Sequence, residues 1–547
     1  MAAERAEPGH DGSGSGPLHL QRPPLRVLLL GFAGAALTIF AGKGHLPGIG
    51  NDATSYWAIA DHLEGGRGLG YFLEPKLTLW PPGWPVYLAT LKWLTPLSVP
   101  VIALYTNALL VVVSTRLTWR LVTRFTTEPI LIWAACVSAA VGPATLSQSF
   151  FLQTETSFLC LVLFSFVLLL RFGDTRRTLY LAAAVATMWL AFMDRYVGIV
   201  LIGAETLWLV LELGEPRWSA RIRNAATFFA GSITVPAIWL VRNAATNDWR
   251  WGTVFGPRDT PIHGLKTNTV DAVTSLGQFV IGIWQYQPWR GALRALALVA
   301  LVAAGSLALL LAKRWRDART APTVGSPARS IGLLDAAGHP LALLVIYVVA
   351  HFAYMIYSAS TIAFDPVNTR YLSPIFIPAI IVGVTLIDRG CRGDDRVWSM
   401  ARTGVIVWMV VQVGCGIGIA TSPWWNRFAA GYNGSEALSI RDSAIFDRLP
   451  TDCTLRTNIP MALYPLGVES QIWPRETKFA SSDVPPDLDE LRGELSRGDV
   501  CLIWLKGFDS QVEYEYSRDA MRTMFPTMRV VDEDDNVTIY RIAGSVG

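Results

Sequence analysis

Long apolar stretches recur along almost the whole chain, and they limit the folds that it can adopt. A helix needs about 17–25 residues to cross the hydrocarbon core of a bilayer, and about eleven stretches approach or reach that length. The composition agrees, because 52% of the 547 residues are hydrophobic and 16% are charged, whereas about a quarter of a soluble chain is charged. We predict a polytopic α-helical membrane protein with about eleven transmembrane helices. The stretches are 27–41, 99–117, 129–148, 156–172, 178–194, 196–213, 225–244, 291–312, 341–359, 372–388 and 402–421.

Basic residues between these stretches predict the orientation of the chain. With the N-terminus in the cytoplasm, successive clusters of Arg and Lys fall in alternate loops on the cytoplasmic side, as the positive-inside rule requires. The clusters lie within 116–124, 171–177, 217–223, 313–319 and 389–396. We therefore expect a multi-pass protein of the cell membrane. Residues 1–25 are predicted to form a disordered cytoplasmic tail, and 26–421 the membrane domain. The net charge of +3 gives no reason to expect a nucleic-acid partner.

The longest connections fall on the opposite, extracytoplasmic face. They are the loops 43–98, 245–290 and 360–371 and the tail 422–547. In the tail, strand-like runs alternate with helical runs, a pattern that predicts a small α/β domain. The strand-like runs are 454–458, 500–506, 528–531 and 537–542, and the helical runs are 487–496 and 517–524.

Two cysteines of the tail stand at or near the starts of predicted strands. If these strands are parallel neighbours, Cys453 and Cys501 lie close together and could form a disulfide in an oxidising compartment. The alternative is a pair of separate, buried thiols.

Acidic residues gather at the predicted outer boundary of the membrane. Asp52 precedes a short surface helix, predicted over 53–64, which carries one apolar stripe from Tyr56 to Leu63. Considered alone, Asp52 is best interpreted as the N-cap of that helix. Glu155 stands at the outer start of the fourth span, where it could also be a cap. Carboxylates at membrane depth usually pair, cap or have a function.

Four arginines on the same face are candidates for binding an anion. Arg195 lies at a turn between two spans, where a snorkelling or locally paired charge is an equally good interpretation. Arg370 stands against the positive-inside trend at the outer end of a span, which suggests an anion to be held, such as the phosphate of a lipid. The other two are Arg242, which precedes Asn243, and Arg258.

These segments resemble the GT-C superfamily of membrane glycosyltransferases, of glycosyltransferase family 39 type. The nearest resemblance is to the dolichyl-phosphate-mannose-mannosyltransferase-like and aminoarabinose-transferase-like group. The matching features occur in order from the first helix to about residue 390. They are Asp52 followed by Tyr56, Ala60 and Leu63; the PPGWP segment; Glu155; Arg195-Tyr196-x-Gly198; Arg242-Asn243; and Asp365-Pro366 leading to Arg370-Tyr371-Leu372-x-Pro374.

The resemblance implies a polyprenyl-phosphate-linked sugar as donor, entering from the bilayer, and a glycan, lipid or protein as acceptor on the outer face. It implies that Asp52 is the general base that activates the acceptor hydroxyl, with inversion by single displacement. The chemistry agrees, because a phosphate leaving group needs cations around it rather than a carboxylic acid. Glu155 is implied to position the acceptor, or to help Asp52 hold a divalent cation.

The resemblance also implies roles for the remaining residues. The four arginines are candidates for the donor phosphate, Arg370 first. The substrate-binding candidates are Tyr56, Asn243, Asp365 and Tyr371. Many relatives carry an Asp-Glu pair in the first loop, where this chain has Asn51-Asp52-Ala53. No cofactor is therefore assigned beyond a possible divalent metal cation, and its ligands stay open.

Other functions fit parts of the sequence. A polyprenyl-linked lipid flippase or transporter would show two repeated halves, and the sequence shows no internal repeat. A non-enzymatic envelope assembly protein that binds glycans would not need Asp52. A polysaccharide polymerase or ligase would use a diphosphate-linked donor. The clustering of charges at the outer boundary, where a lipid head group lies, favours the glycosyltransferase.

Overall fold

The structure is a computed structural model that describes most of the chain. The described residues are 23–212, 215–246, 261–281, 339–361, 367–391, 394–425, 430–434, 437, 440–476, 487–506 and 515–544. The membrane-domain helices are Leu25–Ala41 (α1), Asn51–Glu64 (α2), Gly83–Leu94 (α3), Val99–Val122 (α4), Pro129–Val141 (α5), Pro143–Ser149 (α6), Glu155–Thr175 (α7), Thr178–Asp194 (α8), Gly198–Leu211 (α9), Trp218–Thr246 (α10), Pro261–Ile281 (α11), Pro340–Thr361 (α12), Thr369–Cys391 (α13) and Asp395–Trp425 (α14).

Apolar helices coincide with ten of the predicted spans. Among the described residues, seven helical segments are long and apolar enough to cross a membrane, and α1, α8 and α9 are shorter apolar helices. The nearly continuous stretch 178–213 is divided at Arg195, where the backbone is extended between α8 and α9. The span predicted at 291–312 lies outside the described residues. The observed helices agree with a multi-pass membrane protein.

The span predicted at 129–148 is broken into α5 and α6. Gly142 adopts an extended backbone conformation and precedes Pro143, which begins α6. A proline disfavours the helical conformation of the residue before it and has no amide hydrogen to continue the ladder. Helix α6 is followed by residues 150–152, and Phe151 is bridged to Gly48 in the segment that leads to Asp52.

The predicted outer loop 245–290 is not a loop throughout, because it contains α11. Asn268 of α11 donates to the backbone oxygen of Ala359 at 3.1 Å, and Gln412 of α14 donates to the backbone oxygen of Phe279 at 3.0 Å. Helix α11 therefore runs alongside the apolar helices. The sequence does not predict this helix as an apolar stretch, because polar and apolar residues are interleaved along it.

Close packing fixes α1 in the bundle. A Cβ atom at Gly34 would lie 2.1 Å from the backbone oxygen of Ala140 in α5, and one at Gly31 would lie 3.1 Å from the Cα atom of Val112 in α4. Small residues are common at helix interfaces in membranes, where close backbone approach supplies the attraction that lipid does not. The middle of α1 is thereby held against α4 and α5.

The tail forms a mixed five-stranded sheet. Its strands are Thr454–Thr457 (β1), Gln471–Ile472 (β2), Val500–Leu505 (β3), Arg529–Glu533 (β4) and Val537–Ile542 (β5), in the order β2-β1-β3-β5-β4. The helices Pro460–Leu463 (α15), Asp487–Leu495 (α16) and Arg518–Met524 (α17) connect them. The short strand β2 was not predicted, because a run of two residues is too short to show the alternation of polar and apolar side chains that marks a strand. The other strands and the helices α16 and α17 lie where they were predicted.

Strands β1 and β3 are parallel neighbours, with Leu455 paired to Cys501. The Cα atoms of Cys453 and Cys501 are 5.7 Å apart and the residues form a disulfide. The structure thus has the first of the two alternatives that the sequence left open.

Candidate active site

Helix α2 presents Asp52 in its first turn. Gly50 is the N-cap and Asn51 the first helical residue, two positions earlier than predicted. Tyr56, Ile59 and Ala60 are buried, as the apolar stripe predicts. The Asp52 carboxylate forms an ion pair with Arg370, its Oδ2 atom lying 2.5 Å from Nη2. The structure therefore replaces the N-cap interpretation with a contact between distant segments.

Glu155, Arg195 and Arg370 meet at the same end of the bundle as Asp52. Glu155 is the first residue of α7, and its Oε1 atom accepts hydrogen bonds from both Arg195 and Arg370. Arg195 lies just after α8 and also donates to the Thr154 hydroxyl at 2.9 Å. Arg370 lies in the first turn of α13, where its backbone amide is capped by the side chain of Asn368 at 2.9 Å.

This cluster of two carboxylates and two guanidinium groups is electrically balanced but unequally exposed. The side chain of Glu155 is fully buried, whereas 19% of the Asp52 side chain and 20% of the Arg370 side chain are exposed. A buried carboxylate needs paired charges to offset its lost hydration, and Arg195 and Arg370 supply them. An incoming molecule can thus reach Asp52 and Arg370 but not Glu155.

The aromatic candidates lie around this cluster. Tyr56 is buried and packs edge-on against Trp80, with ring centroids 5.6 Å apart. Burial, followed by the nearby Asp52 charge, raises the pKa of Tyr56 well above its usual value, so that its phenol stays neutral. The guanidinium carbon of Arg370 lies 5.8 Å from the ring centroid of Tyr371. Both tyrosines border the ion-pair cluster.

Arg242 and Asn243 belong to a second group, which holds the loop before α3. Arg242 donates to the backbone oxygen of Leu77, and at 2.9 Å to Asn243, while its guanidinium stacks on Trp239 at 4.8 Å. Asn243 and Tyr196 donate to the backbone oxygen of Thr78, at 3.3 Å and 3.0 Å. These bonds give Arg242 a structural role in supporting the loop. Thr78 was missed, and Tyr196 was named only as part of a matching motif, because these contacts join segments far apart in the sequence.

The same loop is fixed from within by Glu74. Its Oε1 atom accepts from the backbone amide and the hydroxyl of Thr78, both at 2.6 Å, and from the amide of Leu79 at 3.2 Å. Burial raises the pKa of Glu74, although these bonds and Arg242 oppose the shift. The remaining two sequence candidates, Arg258 and Asp365, lie outside the described residues.

The residues at the cluster do not fit a divalent cation held by Asp52 and Glu155. Mg²⁺ and Ca²⁺ bind several oxygen ligands that are free to point at the ion. Here the guanidinium of Arg370 bonds both carboxylates, and Arg195 adds a second positive charge. In the described part of the chain, no group of three or more His, Cys, Asp or Glu side chains could hold a metal ion.

No protein-family model matches the chain, and no curated protein matches it. Solved structures do match its fold. ArnT from Cupriavidus metallidurans in the apo state aligns with a TM-score of 0.55 at 14% identity, over 94% of this chain and 98% of ArnT. Its complex with undecaprenyl phosphate aligns with the same TM-score and coverage at 15% identity.

A mutant of the arabinofuranosyltransferase AftD from Mycobacteria aligns with a TM-score of 0.52 at 16% identity, over 96% of this chain and 42% of AftD. The alignments to ArnT extend through nearly all of both chains, so the tail domain is part of the likeness. The chain therefore shares its fold with ArnT and AftD, which agrees with the fold that the sequence resemblance implies.

Proposed function

We propose that this protein is an integral-membrane glycosyltransferase that moves a sugar from a polyprenyl-phosphate donor to an acceptor on the extracytoplasmic face. The observation that carries the proposal is the contact of Arg370 with both Asp52 and Glu155. This contact joins the partly exposed carboxylate of Asp52 to the partly exposed guanidinium of Arg370. Both lie at the end of an apolar helix bundle, where the phosphate of a membrane lipid would lie. The GT-C fold and the complex of ArnT with undecaprenyl phosphate support this assignment.

The different exposed fractions of the two carboxylates support different roles for them. Asp52 is the general base, because an acceptor hydroxyl can approach it. Glu155 is too deeply buried to exchange a proton with the acceptor, and it holds Arg195 and Arg370 in place. The carboxylate of Glu155 is thus a positioning group for the cations rather than a second base.

The reaction is a single displacement. The donor phosphate takes hydrogen bonds from the Arg370 guanidinium, which releases Asp52 from its ion pair. Asp52 then accepts the proton of the acceptor hydroxyl as the oxygen attacks the anomeric carbon, and the bond between that carbon and the phosphate oxygen breaks. Attack opposite the leaving phosphate inverts the anomeric configuration. Arg370 stabilises the negative charge that develops on the leaving group.

The flippase alternative and the glycan-binding alternative require no base at Asp52. The decisive experiment is sugar transfer from a panel of radiolabelled polyprenyl-phosphate donors by the purified full-length protein in lipid nanodiscs. The variants are Asp52→Asn and Asp52→Ala. The matched control is Asp61→Asn, because Asp61 lies on the same helix and pairs with Lys92 at 2.9 Å.

We expect transfer by the wild type and by Asp61→Asn, and a loss of at least about a hundredfold in both Asp52 variants, the scale of a missing general base. Wild-type rates in Asp52→Asn would refute the role of Asp52. Donor binding without transfer, accompanied by donor movement between leaflets, would favour the flippase.

A further inference from the structure

Three segments from distant parts of the sequence form a small backbone arrangement directly before the two site carboxylates. We call it the clip, and it consists of residues 47–49, 150–152 and 430–433. Residues 47–49 lie in the middle, with Gly48 bridged to Phe151 and Ile49 bridged to Gly431, both in parallel orientation. The last segment is the start of the tail domain.

The first bridge joins residues 47–49, which lead to Asp52, to residues 150–152, which lead into α7. The amide of Gly48 donates to the oxygen of Phe150 at 3.0 Å, and the amide of Leu152 donates to the oxygen of Gly48 at 3.0 Å. A Cβ atom at Gly48 would lie 2.6 Å from the ring of Phe151, so a larger residue would have to displace that ring. The segments on both sides of this bridge lead within one helical turn to Asp52 and Glu155.

The second bridge joins residues 47–49 to the start of the tail domain. The amide of Ile49 donates to Ala430 at 3.1 Å, and the amide of Tyr432 donates to Ile49 at 2.7 Å. The Tyr432 hydroxyl donates to the side-chain oxygen of Asn51, the residue before Asp52. Asn433 is buried and donates to the backbone oxygen of Pro47 at 2.6 Å.

Gly431 permits this second bridge. Its φ angle is +57°, and a Cβ atom would lie 2.1 Å from the backbone oxygen of Ile49. A side chain there would both strain the backbone and collide with the segment that leads to Asp52. The second bridge therefore depends on the glycine at position 431.

We propose that the tail domain is a positioning element of the active site, and that Gly431 and Tyr432 are the positioning residues through which it sets the place of Asp52. This inference rests on the proposed function. Its physical basis is that first turns of helices fray, while a general base displaced by about 1 Å can lose much of its effect. The clip restricts that freedom, because backbone bridges hold Gly48 and Ile49 and the Tyr432 hydroxyl holds Asn51, all just before Asp52.

The test compares Tyr432→Phe, which removes one hydroxyl and keeps the backbone bridge, with Tyr464→Phe as a matched control. The Tyr464 hydroxyl also joins the tail to α2, donating to Asp61 at 2.8 Å near the far end of the helix. Gly431→Ala is the stronger variant, and Gly467→Ala is its control, because Gly467 has a φ of +76° but open space around a Cβ atom. Transfer kinetics and hydrogen exchange are measured on the full chain in nanodiscs.

We expect kcat to fall about tenfold in Tyr432→Phe and further in Gly431→Ala, with the KM for the donor nearly unchanged, because the base is displaced and the cations are not. Amides of Thr54–Ala58 should exchange faster in these variants than in the controls. Equal kcat values and equal exchange in Tyr432→Phe and Tyr464→Phe would overturn the proposal.

The hydrogen-exchange result distinguishes this proposal from the proposed function. If the wild type transfers no sugar from any donor, the proposed function fails. Selective loosening of Thr54–Ala58 in the clip variants would then still support positioning of α2 by the tail, whereas unchanged exchange would reject it.

Discussion

The Nη2 atom of Arg370 lies 2.5 Å from a carboxylate oxygen of Asp52. Asp52 belongs to a short helix after the first apolar helix, and Arg370 lies in the first turn of α13, near the end of the membrane domain. In this state the proposed base is bonded to the proposed phosphate ligand. In the proposed mechanism, an anion that attracts Arg370 also frees Asp52, so that one side chain would couple donor binding to activation of the acceptor.

Replacing Arg370 by lysine should impair transfer although the charge is kept. Arg370 uses Nε towards Glu155 and Nη2 towards Asp52, and an ammonium group cannot reproduce this planar fork. We expect a raised donor KM and a loss of kcat/KM of at least about tenfold. Steady-state kinetics with a polyprenyl-phosphate sugar measure both constants.

Arg242→Lys is the contrasting variant, because the Arg242 guanidinium donates to the backbone oxygen of Leu77 in the loop before α3. Its effect should appear as faster hydrogen exchange of residues 74–79. The donor KM should change less in this variant than in Arg370→Lys. A larger rise of donor KM in Arg242→Lys than in Arg370→Lys would contradict the assignment of the phosphate to Arg370.

Removal of divalent cations should leave transfer unchanged, because Arg370 bonds the two carboxylates between which a shared cation would lie. We expect equal rates with EDTA and with added Mg²⁺ or Mn²⁺. Mn²⁺ binding, followed by electron paramagnetic resonance, should be absent in the wild type, because Arg370 pairs with Asp52 and both Arg195 and Arg370 pair with Glu155. Stoichiometric Mn²⁺ binding by the wild type that is lost in Asp52→Asn would show that this prediction is wrong.

The tail domain should lose stability as the pH rises, because of Glu515. Its side chain is buried and neither carboxylate oxygen has a hydrogen-bond partner. Burial, with a smaller contribution from Asp487, raises the pKa of Glu515 to about 10, against the opposing effect of Arg475. The folded state binds the proton more tightly than the unfolded state. Its stabilising effect is complete below pH 4.5, the usual value, and is lost as the pH rises towards about 10.

Glu515→Gln keeps the shape of the neutral acid without its ionisation. We expect this variant to be more stable than the wild type at pH 8 by at least about 1 kcal/mol, since each pKa unit corresponds to about 1.4 kcal/mol. The advantage should vanish near pH 4. Hydrogen exchange of peptides from β3 and β5 reports the stability, with the exposed Glu490→Gln as control. The same advantage at pH 4 and pH 8 would contradict this origin.

Loss of the Cys453–Cys501 disulfide should destabilise the tail. The bridge closes a loop with a sequence separation of 48 residues, for which the chain-entropy relation gives about 4 kcal/mol. Cys453→Ser with Cys501→Ser should therefore raise the protease sensitivity of the tail, and reductant should do so only in the wild type. Cys391→Ser, at a cysteine outside the disulfide, serves as control. A tail of unchanged resistance in the double variant would argue against this contribution.

Local pattern in the sequence determined most of the helices and the tail strands. Apolar length marks a spanning helix and alternation marks a strand, because each reflects how consecutive side chains meet lipid, core or water. Helix α8 begins and ends as predicted, and β5 does as well. Helix α11 was missed because it packs on other helices and so does not need a wholly apolar surface.

The tertiary structure alone decided which charged residues contact one another. From the sequence, Asp52 considered alone fitted a helix cap, and Arg242 was a candidate phosphate ligand ranked behind Arg370. Ion pairs and the backbone bridges of the clip join segments from opposite parts of the chain, and no local periodicity encodes which segments meet. Their geometry follows from the packing of the whole bundle against the tail, which is why the sequence could name the chemical groups but not their partners.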